Sequence, residues 1–241
     1  MPATTSRLGR ISTWMGRLGI VAALLGPALA HFEIVRPLGG FGVFAFGLLL
    51  AVLCLAFGLL ALLLGPSPTR PASAAGLIPA VLLILAVFVA AGAGENYPRI
   101  NDITTDTRNP PIFVHAITLP ENAGRDMAYP GAEFAAQQQS GYPDLAAVTL
   151  AAPPDEAFKQ VAATARSMDG WNITREDAAA HVIEGYDTTR LFRFKDDFII
   201  EVRPLDGKSQ VQMRSKSRDG KGDMGANANR IRVFFARLGT S

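Results

Sequence analysis

Residues 38 to 64 make up 27 consecutive positions with no formally charged side chain, rich in Leu, Phe, Ala and Gly. Coiled as a helix at about 1.5 Å per residue, such a run is longer than the roughly 30 Å hydrocarbon core of a bilayer. A second uncharged run of 22 residues covers 72 to 93, and a weaker apolar segment covers 18 to 35. Between Leu18 and Gly94 the only charged side chains are Glu33, Arg36 and Arg70, whereas from Glu95 onward the chain carries 18 basic and 20 acidic residues. The sequence therefore predicts two regions: a three-helix transmembrane region over residues 1–94, with spans near 18–35, 38–64 and 72–93, and a water-soluble remainder long enough to bury its own core.

The first span has alternatives. Its start, "RLGRISTWMGRLGIVAALLGPALA", places basic residues before an apolar stretch as a signal peptide does, and "ALAH" would then be the cleavage site. A helix that never crosses is the third option; a retained helix is the expectation carried forward. Arg7, Arg10 and Arg17 precede the first span and Arg70 lies between the second and third, so the positive-inside rule puts both in the cytoplasm. Three spans then place the C-terminal domain outside, in the periplasm of a Gram-negative cell, on a multi-pass inner-membrane protein. If the first helix fails to cross, the orientation inverts. No Asp, Glu, Lys or Arg lies deep in the second or third span, which favours an anchor over a channel or ion-coupled transporter. Gly39, Gly40, Gly42, Gly47 and Gly58 suggest close helix packing, although no GxxxG motif stands out. Cys54, the only cysteine, falls inside the second span, so intramolecular disulfides are excluded and no thiolate nucleophile serves the soluble part.

Residues 95–144 show little periodicity, and prolines at 98, 110, 111, 120, 130 and 143 predict an ordered coil wrapped on the rest of the soluble part. Residues 145–241 read as an α+β domain. "LAAVTLAA" predicts a strand. "PPDEAFKQVAATARSM" puts Phe158, Val161, Ala162, Ala165 and Met168 on one helical face, opened by Pro154 and two acidic residues. "WNITRED", "AHVIEGYDT", "DDFIIEVRP" and "SQVQMRSKS" predict strands of a half-buried antiparallel sheet, and a last helix carries Ile231, Phe234, Phe235 and Leu238. The order β-α-β-β-β-β-α predicts a sheet covered on one face by two helices.

The densest polar pattern is "RSKSRDGKGDMGANANRIRVFF", residues 214–235. If Val211 and Met213 face the helices, so do Ser215 and Ser217, while Arg214, Lys216 and Arg218 face the other side. Asn227 stands four residues before Ile231 on the apolar helix face, and Asp223 sits where an N-cap belongs. One reading is a pocket for an anionic headgroup or phosphate, built from Ser215, Ser217, Arg218, Asp223, Asn227 and Arg230. The other is a capped helix pinned to the last strand by Asn227. "GKGDMG" lacks the GKS or GKT ending of a phosphate-binding loop, so a nucleotide is not expected, nor is a nucleic-acid partner. In "NDITTD", Asp102 and Asp106 with Thr104 and Thr105 offer oxygen ligands to a hard cation, though Asx and Ser/Thr turns explain the same letters. No cofactor is expected. His115 and His181 show no metal spacing.

"INDITTDTRNPPIF", "YPD", "FKDDFIIEVRP" and "RSKSRDGKGDMGANANRIRVFFARL" together resemble the bacterial family called domain of unknown function 1499, over roughly Pro98 to Leu238. Its closing signature of a serine-and-arginine strand leading into a D-x-G-x-N-x-x-R-I-R helix falls on Ser215, Ser217, Arg218, Asp223, Gly225, Asn227, Arg230, Ile231 and Arg232; Lys216 is a mild departure. The resemblance implies a bacterial, often membrane-attached protein and carries no activity with it. The expectation is thus an integral inner-membrane protein whose non-enzymatic soluble domain binds an anionic lipid or an acidic envelope partner. The alternatives are a metal-assisted hydrolase of the cell envelope, using "NDITTD" and Asp223, and a purely structural envelope subunit; the residues leave open whether the chain is an enzyme.

Overall fold

A computed structural model describes residues 7–65, 70–90 and 97–239. The chain divides into two compact units, one of residues 1–95 with 190–193 and one of residues 96–189 with 194–241.

The first unit holds helices α1 (Arg7–His31), α2 (Pro37–Leu64) and α3 (Arg70–Ala90). The first apolar segment therefore begins its helix at Arg7, well before Leu18, and leaves it at His31; residues 91–93 of the third predicted span lie outside the described residues. Helices α1 and α2 are long and apolar enough to cross a membrane by length and composition, and α3 contributes the shorter apolar stretch Ser73–Val89. What α1 buries is small: Gly9, Ser12, Gly16, Gly19, Ala23, Gly26 and Ala30, spaced alternately by three and four. Gly40, Gly47, Ala51, Cys54, Gly58 and Ala61 line the antiparallel partner α2. A 3.5-residue repeat of small side chains keeps one seam facing the neighbouring helix and lets the two backbones approach. A Cβ on Gly26 would lie 2.4 Å from the Gly40 carbonyl oxygen, and one on Gly47 would lie 2.6 Å from the Ala23 nitrogen. The Ser12 hydroxyl donates to the Cys54 carbonyl at 2.9 Å across the same seam.

The second unit is an α+β domain built on an antiparallel sheet. Its strands are β1 (Asp102–Thr104), β2 (Val148–Leu150), β3 (Trp171–Asp177), β4 (Val182–Thr188), β5 (Lys195–Leu205) and β6 (Lys208–Ser217). The order is β1-β6-β5-β4-β3, with β2 also pairing β6, so β1 and β2 share one edge of β6. The long β5–β6 hairpin turns at Asp206-Gly207, both with positive φ, and sets the register Asp196↔Ser217, Asp197↔Lys216, Phe198↔Ser215 and Ile200↔Met213. Because side chains alternate across the sheet, this register sends Phe198, Ile200, Val202, Val211 and Met213 to one face and Ile199, Gln212 and Arg214 to the other.

Helices α5 (Pro154–Arg166) and α6 (Ala226–Leu238) cover the first face with Phe158, Val161, Ala165, Ile231, Phe234 and Leu238, and the Trp171 ring stacks against Phe234 with centroids 5.4 Å apart. The predicted coil at 95–144 is more than a coil. It supplies the edge strand β1, the helix α4 (Ala132–Gly141) and two 3-10 turns at Ala116–Thr118 and Pro120–Asn122. Its prolines keep these elements short. It also contributes Phe113, Ala116 and Met127, which pack with Ile199, so the sheet is not half-buried as its alternation suggests; its second face is covered as well. The side-chain amide of Gln138 pairs with Thr104 like one more strand, accepting from its N–H at 3.0 Å and donating to its carbonyl at 2.6 Å.

The helix seam makes a sharp contrast between two glycines. Gly47→Leu is expected to lower the thermal midpoint of the full chain in micelles by the equivalent of about 1–3 kcal/mol or more. Gly42→Leu, where a Cβ meets nothing within 4 Å, leaves that midpoint unchanged.

Candidate functional site

Strand β6 ends in a run of polar residues, Arg214 to Arg218, that alternate across the sheet, and each side of the alternation builds a separate ion cluster. On the helix-covered face, the Ser215 hydroxyl donates to Asn227 Oδ1 at 2.7 Å, and Asn227 Nδ2 donates to the Ser217 hydroxyl at 2.9 Å. Arg230, one helical turn on, donates through Nη1 to Asn227 Oδ1 at 2.6 Å and to Ser215 Oγ at 2.9 Å. It reaches Asp196 Oδ2 through Nη2 at 2.6 Å and Asp187 Oδ2 through Nε at 3.0 Å. Asn227 is fully buried and Arg230 nearly so. These residues pin α6 to the last strand, and their donors and acceptors are turned toward one another.

On the opposite face, Arg214 is 1% exposed, and its guanidinium holds Asp102 in a two-pronged pair, Nε to Oδ1 at 2.8 Å and Nη2 to Oδ2 at 2.7 Å. It also donates to the Pro111 carbonyl at 3.1 Å and the Met127 carbonyl at 2.9 Å, between the rings of Phe113 and Tyr129. Lys216 adds a second cation to Asp102 at 2.8 Å. Beside them Asp197, fully buried, accepts from Arg218 Nη2 at 2.6 Å, from Arg125 at 3.1 Å and from Asn122 at 3.1 Å. Arg125 meanwhile donates to the Ser217 carbonyl at 2.7 Å. Glu184 on β4 completes the layer by accepting three successive backbone N–H groups, Val114 at 3.1 Å and His115 and Ala116 at 2.8 Å. Every one of these buried carboxylates holds a segment of the 95–144 wrap or a cation of β6. Burial, with Asp102 adding to it, pushes the Tyr129 hydroxyl up to about 12, so it stays protonated over this layer.

The structure thus divides the sequence-derived site. Ser215, Ser217, Asn227 and Arg230 come together on one face, and Arg218 lies on the other against Asp197. Asp223 does cap the last helix, although Gly225, at φ 82°, occupies the N-cap position itself. The Asp223 carboxylate accepts from the Gly225 N–H at 2.9 Å and the Asn227 N–H at 3.0 Å, the two groups that would have faced an anion. Burial raises the Asp223 carboxyl above the usual carboxylate range. The metal pairing of Asp102 and Asp106 fails: Asp102 is taken up by Arg214 and Lys216, while Asp106 closes an Asx turn, accepting from the Arg108 and Asn109 N–H groups at 3.0 Å. Among the described residues no group of three or more His, Cys, Asp or Glu is arranged for a metal ion. Asp187, Asp196, Asp197 and Arg125 receive no role from sequence reasoning, yet the "KDDF" pair is legible: adjacent strand residues face opposite ways, so two acids in a row serve two clusters.

An open cavity of about 370 Å³ lies beside the glycine-rich loop, lined by Tyr97, Pro98, Arg99, Lys221, Gly222 and Met224. Arg99 and Lys221 are exposed and take no ion-pair partner among the described residues.

Two variants separate structure from decoration. Arg214→Ala, which leaves Asp102 buried against Lys216 alone, is expected to cost about 3–5 kcal/mol in denaturant unfolding. Asp144→Asn, which removes the surface partner of Arg232, costs under about 1 kcal/mol. Asp223 supplies a pH test. A carboxyl whose folded pKa is raised contributes its stability fully below the unfolded value of about 3.9 and loses it as pH climbs through the folded value. The thermal midpoint of Asp223→Asn relative to the parent should therefore rise between pH 3 and pH 7; a difference that stays flat refutes the assignment.

Among functionally curated proteins none matches the chain. Among solved structures, the crystal structure of the di-domain ARO/CYC BexL from the BE-7585A biosynthetic pathway is similar at 17% identity and a TM-score of 0.30, over 38% of this chain and 43% of the other. The family described as "Protein of unknown function (DUF1499)" matches residues 102–238, a stretch that contains the buried ion clusters on both sides of the sheet, and the chain belongs to that family.

Proposed function

We propose that the chain is a bacterial, multi-pass inner-membrane protein whose α+β domain binds an anionic lipid without catalysing a reaction on it. The membrane reading rests on an inside-out pattern. Helices α1 and α2 turn Gly, Ala and Ser inward, while Leu18, Leu24, Phe46, Leu49, Leu59 and Leu63 stay exposed. In water the large side chains would be buried and the small ones left outside; in lipid the preference disappears and tight backbone packing decides. With α3 as the third span, the arginines at 7, 10, 17 and 70 favour the cytoplasm, and the domain belongs on the periplasmic side.

One observation carries the binding reading: Arg99 and Lys221, two cations without an ion-pair partner among the described residues, line one cavity with an exposed methionine. Met224 is 61% exposed and holds φ at 51°, a left-handed conformation that a side chain adopts at a cost of order 1 kcal/mol. Cations next to Tyr97, Pro98 and Met224 suit a molecule that is anionic at one end and apolar at the other. Ser215, Ser217, Arg218, Asp223, Asn227 and Arg230 then act as the frame of this loop rather than as its contacts.

Native mass spectrometry of the full chain released from mixed micelles tests this reading. The parent protein is expected to retain phosphatidylglycerol over phosphatidylcholine, and Arg99→Ala/Lys221→Ala to lose that preference by roughly tenfold to thirtyfold at an unchanged thermal midpoint. If the preference instead follows Arg7→Ala/Arg10→Ala, the cavity is not the lipid site.

A further inference from the structure

The end of β4, the start of β5 and the end of β6 lie side by side, and they bring cations together on the second face of the sheet. The pairings Thr188↔Lys195 and Asp196↔Ser217 continue one step further, where the Arg218 N–H donates to the Lys195 carbonyl at 2.9 Å. Lys195 is two residues from Asp197 and so shares its face. Arg218 and Lys195 therefore stand as cross-strand neighbours, an arrangement of like charges that destabilises a sheet. Both reach the ring of Tyr186, each 4.9 Å from its centroid. The ring face attracts both cations and neutralises neither.

The layer around them is short of negative charge. Arg214 and Lys216 share Asp102, and Arg218 and Arg125 share Asp197. Glu184 has Arg175 at 3.7 Å and three backbone N–H groups of its own, so it lends nothing to the rest. Lys195 takes no ion-pair partner among the described residues, and neither do Asp126 and Asp219, the acidic chain neighbours of Arg125 and Arg218. Two carboxylates, Asp102 and Asp197, thus answer five cations, Arg125, Lys195, Arg214, Lys216 and Arg218. Charges removed from water are normally met by counter-charges, so the excess calls for an anion. The second observation is the Arg218 guanidinium. Its side chain is 7% exposed, and its Nε and Nη2 are spent on Asp197 at 3.1 and 2.6 Å. Its Nη1 keeps two N–H groups without a partner among the described residues, and that atom is not sealed from the surface.

We infer that this end of the sheet binds a phosphate monoester through Arg218 Nη1 and the Lys195 ammonium, with Arg125 and Lys216 adding to the positive field. A guanidinium offers fixed N–H donors and an ammonium a compact point charge, and the oxygens of one phosphate accept from both. The charge selects the class of ligand. A carboxylate brings a single negative charge, whereas a phosphate monoester brings about −1.5 to −2 at neutral pH and answers more of the excess. Once it is bound, the neighbouring cations on the Tyr186 ring are held together by the anion between them, and the cross-strand repulsion is offset. The site uses none of the side chains that line the Arg99 and Lys221 cavity, so it stands or falls separately from the lipid reading there.

The experiment is saturation-transfer-difference NMR on the full chain in phosphatidylcholine nanodiscs, with glycerol 3-phosphate as the probe. A saturable signal is expected. Lys195→Glu is the deciding variant, because a site and a mere surface charge respond differently to it. It removes the like-charge pair, so the ligand-free thermal midpoint holds or rises, while affinity for glycerol 3-phosphate falls by roughly tenfold or more. Arg218→Lys keeps a cation on Asp197 but loses the Nη1 donors, and affinity falls comparably. Arg99→Ala/Lys221→Ala leaves it unchanged. No saturable signal, an affinity undiminished in Lys195→Glu, a midpoint that drops in that variant, or binding lost with Arg99 and Lys221 overturns the inference. Adding phosphatidic acid to the nanodiscs separates the sources. Suppression of the glycerol 3-phosphate signal identifies a lipid headgroup as the ligand, and persistence identifies a soluble phosphate ester.

Discussion

The domain depends on the pair between Arg214 and Asp102. A guanidinium buried in the middle of a sheet is tolerable only if its donors are matched, because desolvating a charge costs several kcal/mol that Coulomb attraction alone does not reliably return. Here the matching partners come from far away in sequence: Asp102 on the edge strand, and the Pro111 and Met127 carbonyls in the wrap. Satisfying Arg214 therefore requires residues 102 to 127 to be laid across the second face. That in turn covers Ile199 and brings up the backbone N–H groups that Glu184 needs. The charge in β6 organises the segment that has the least regular structure of its own.

Much of this is legible in the chain itself. The strands β3 to β6, the helices α5 and α6, and the facing of Ser215 and Ser217 follow from period-two and period-3.6 patterns, which report a single buried face well. The second face escapes because its burial is achieved by a segment without periodicity, and because Arg214 and Lys216 look like solvent-facing residues when read one at a time. The same limitation affects the site. Asn227 calls for partners and finds Ser215 and Ser217, but nothing in the letters around Arg230 says that its other donors are used by Asp187 and Asp196. In the helical unit, the glycines of α2 do not reveal the repeat, because Gly42 obscures it. The clearer signal lies on α1, in the alternating three-and-four spacing from Gly9 to Ala30.

Two clefts of the domain differ in the side chains that line them. Arg99 and Lys221 sit with apolar neighbours and no acid, whereas Asp106 and Arg108 sit together among hydroxyls and amides. Both lie next to the framework and outside its ion clusters. Substitutions can accumulate at these rims without disturbing Arg214, Asp197 or Arg230, whose donors and acceptors are committed internally.

Asp196 and Asp197 are neighbours in the chain, yet their cations lie on opposite sides of the sheet: Arg230 for the first, Arg218 and Arg125 for the second. If β5 slipped by one residue against β6, one aspartate would take the other's place. Either Lys195 would come opposite Ser217 beside Arg230, or Phe198 would come opposite Lys216 beside Arg218 and Arg125. The apolar residues of this hairpin discriminate weakly against such a slip, since Phe198, Ile199 and Ile200 run consecutively and each offers a large side chain to whichever face it meets. The acidic dipeptide with its flanking Lys195 and Phe198 supplies the discrimination instead, as a two-sided proofreading mark that leaves one cluster of a misaligned hairpin without its carboxylate.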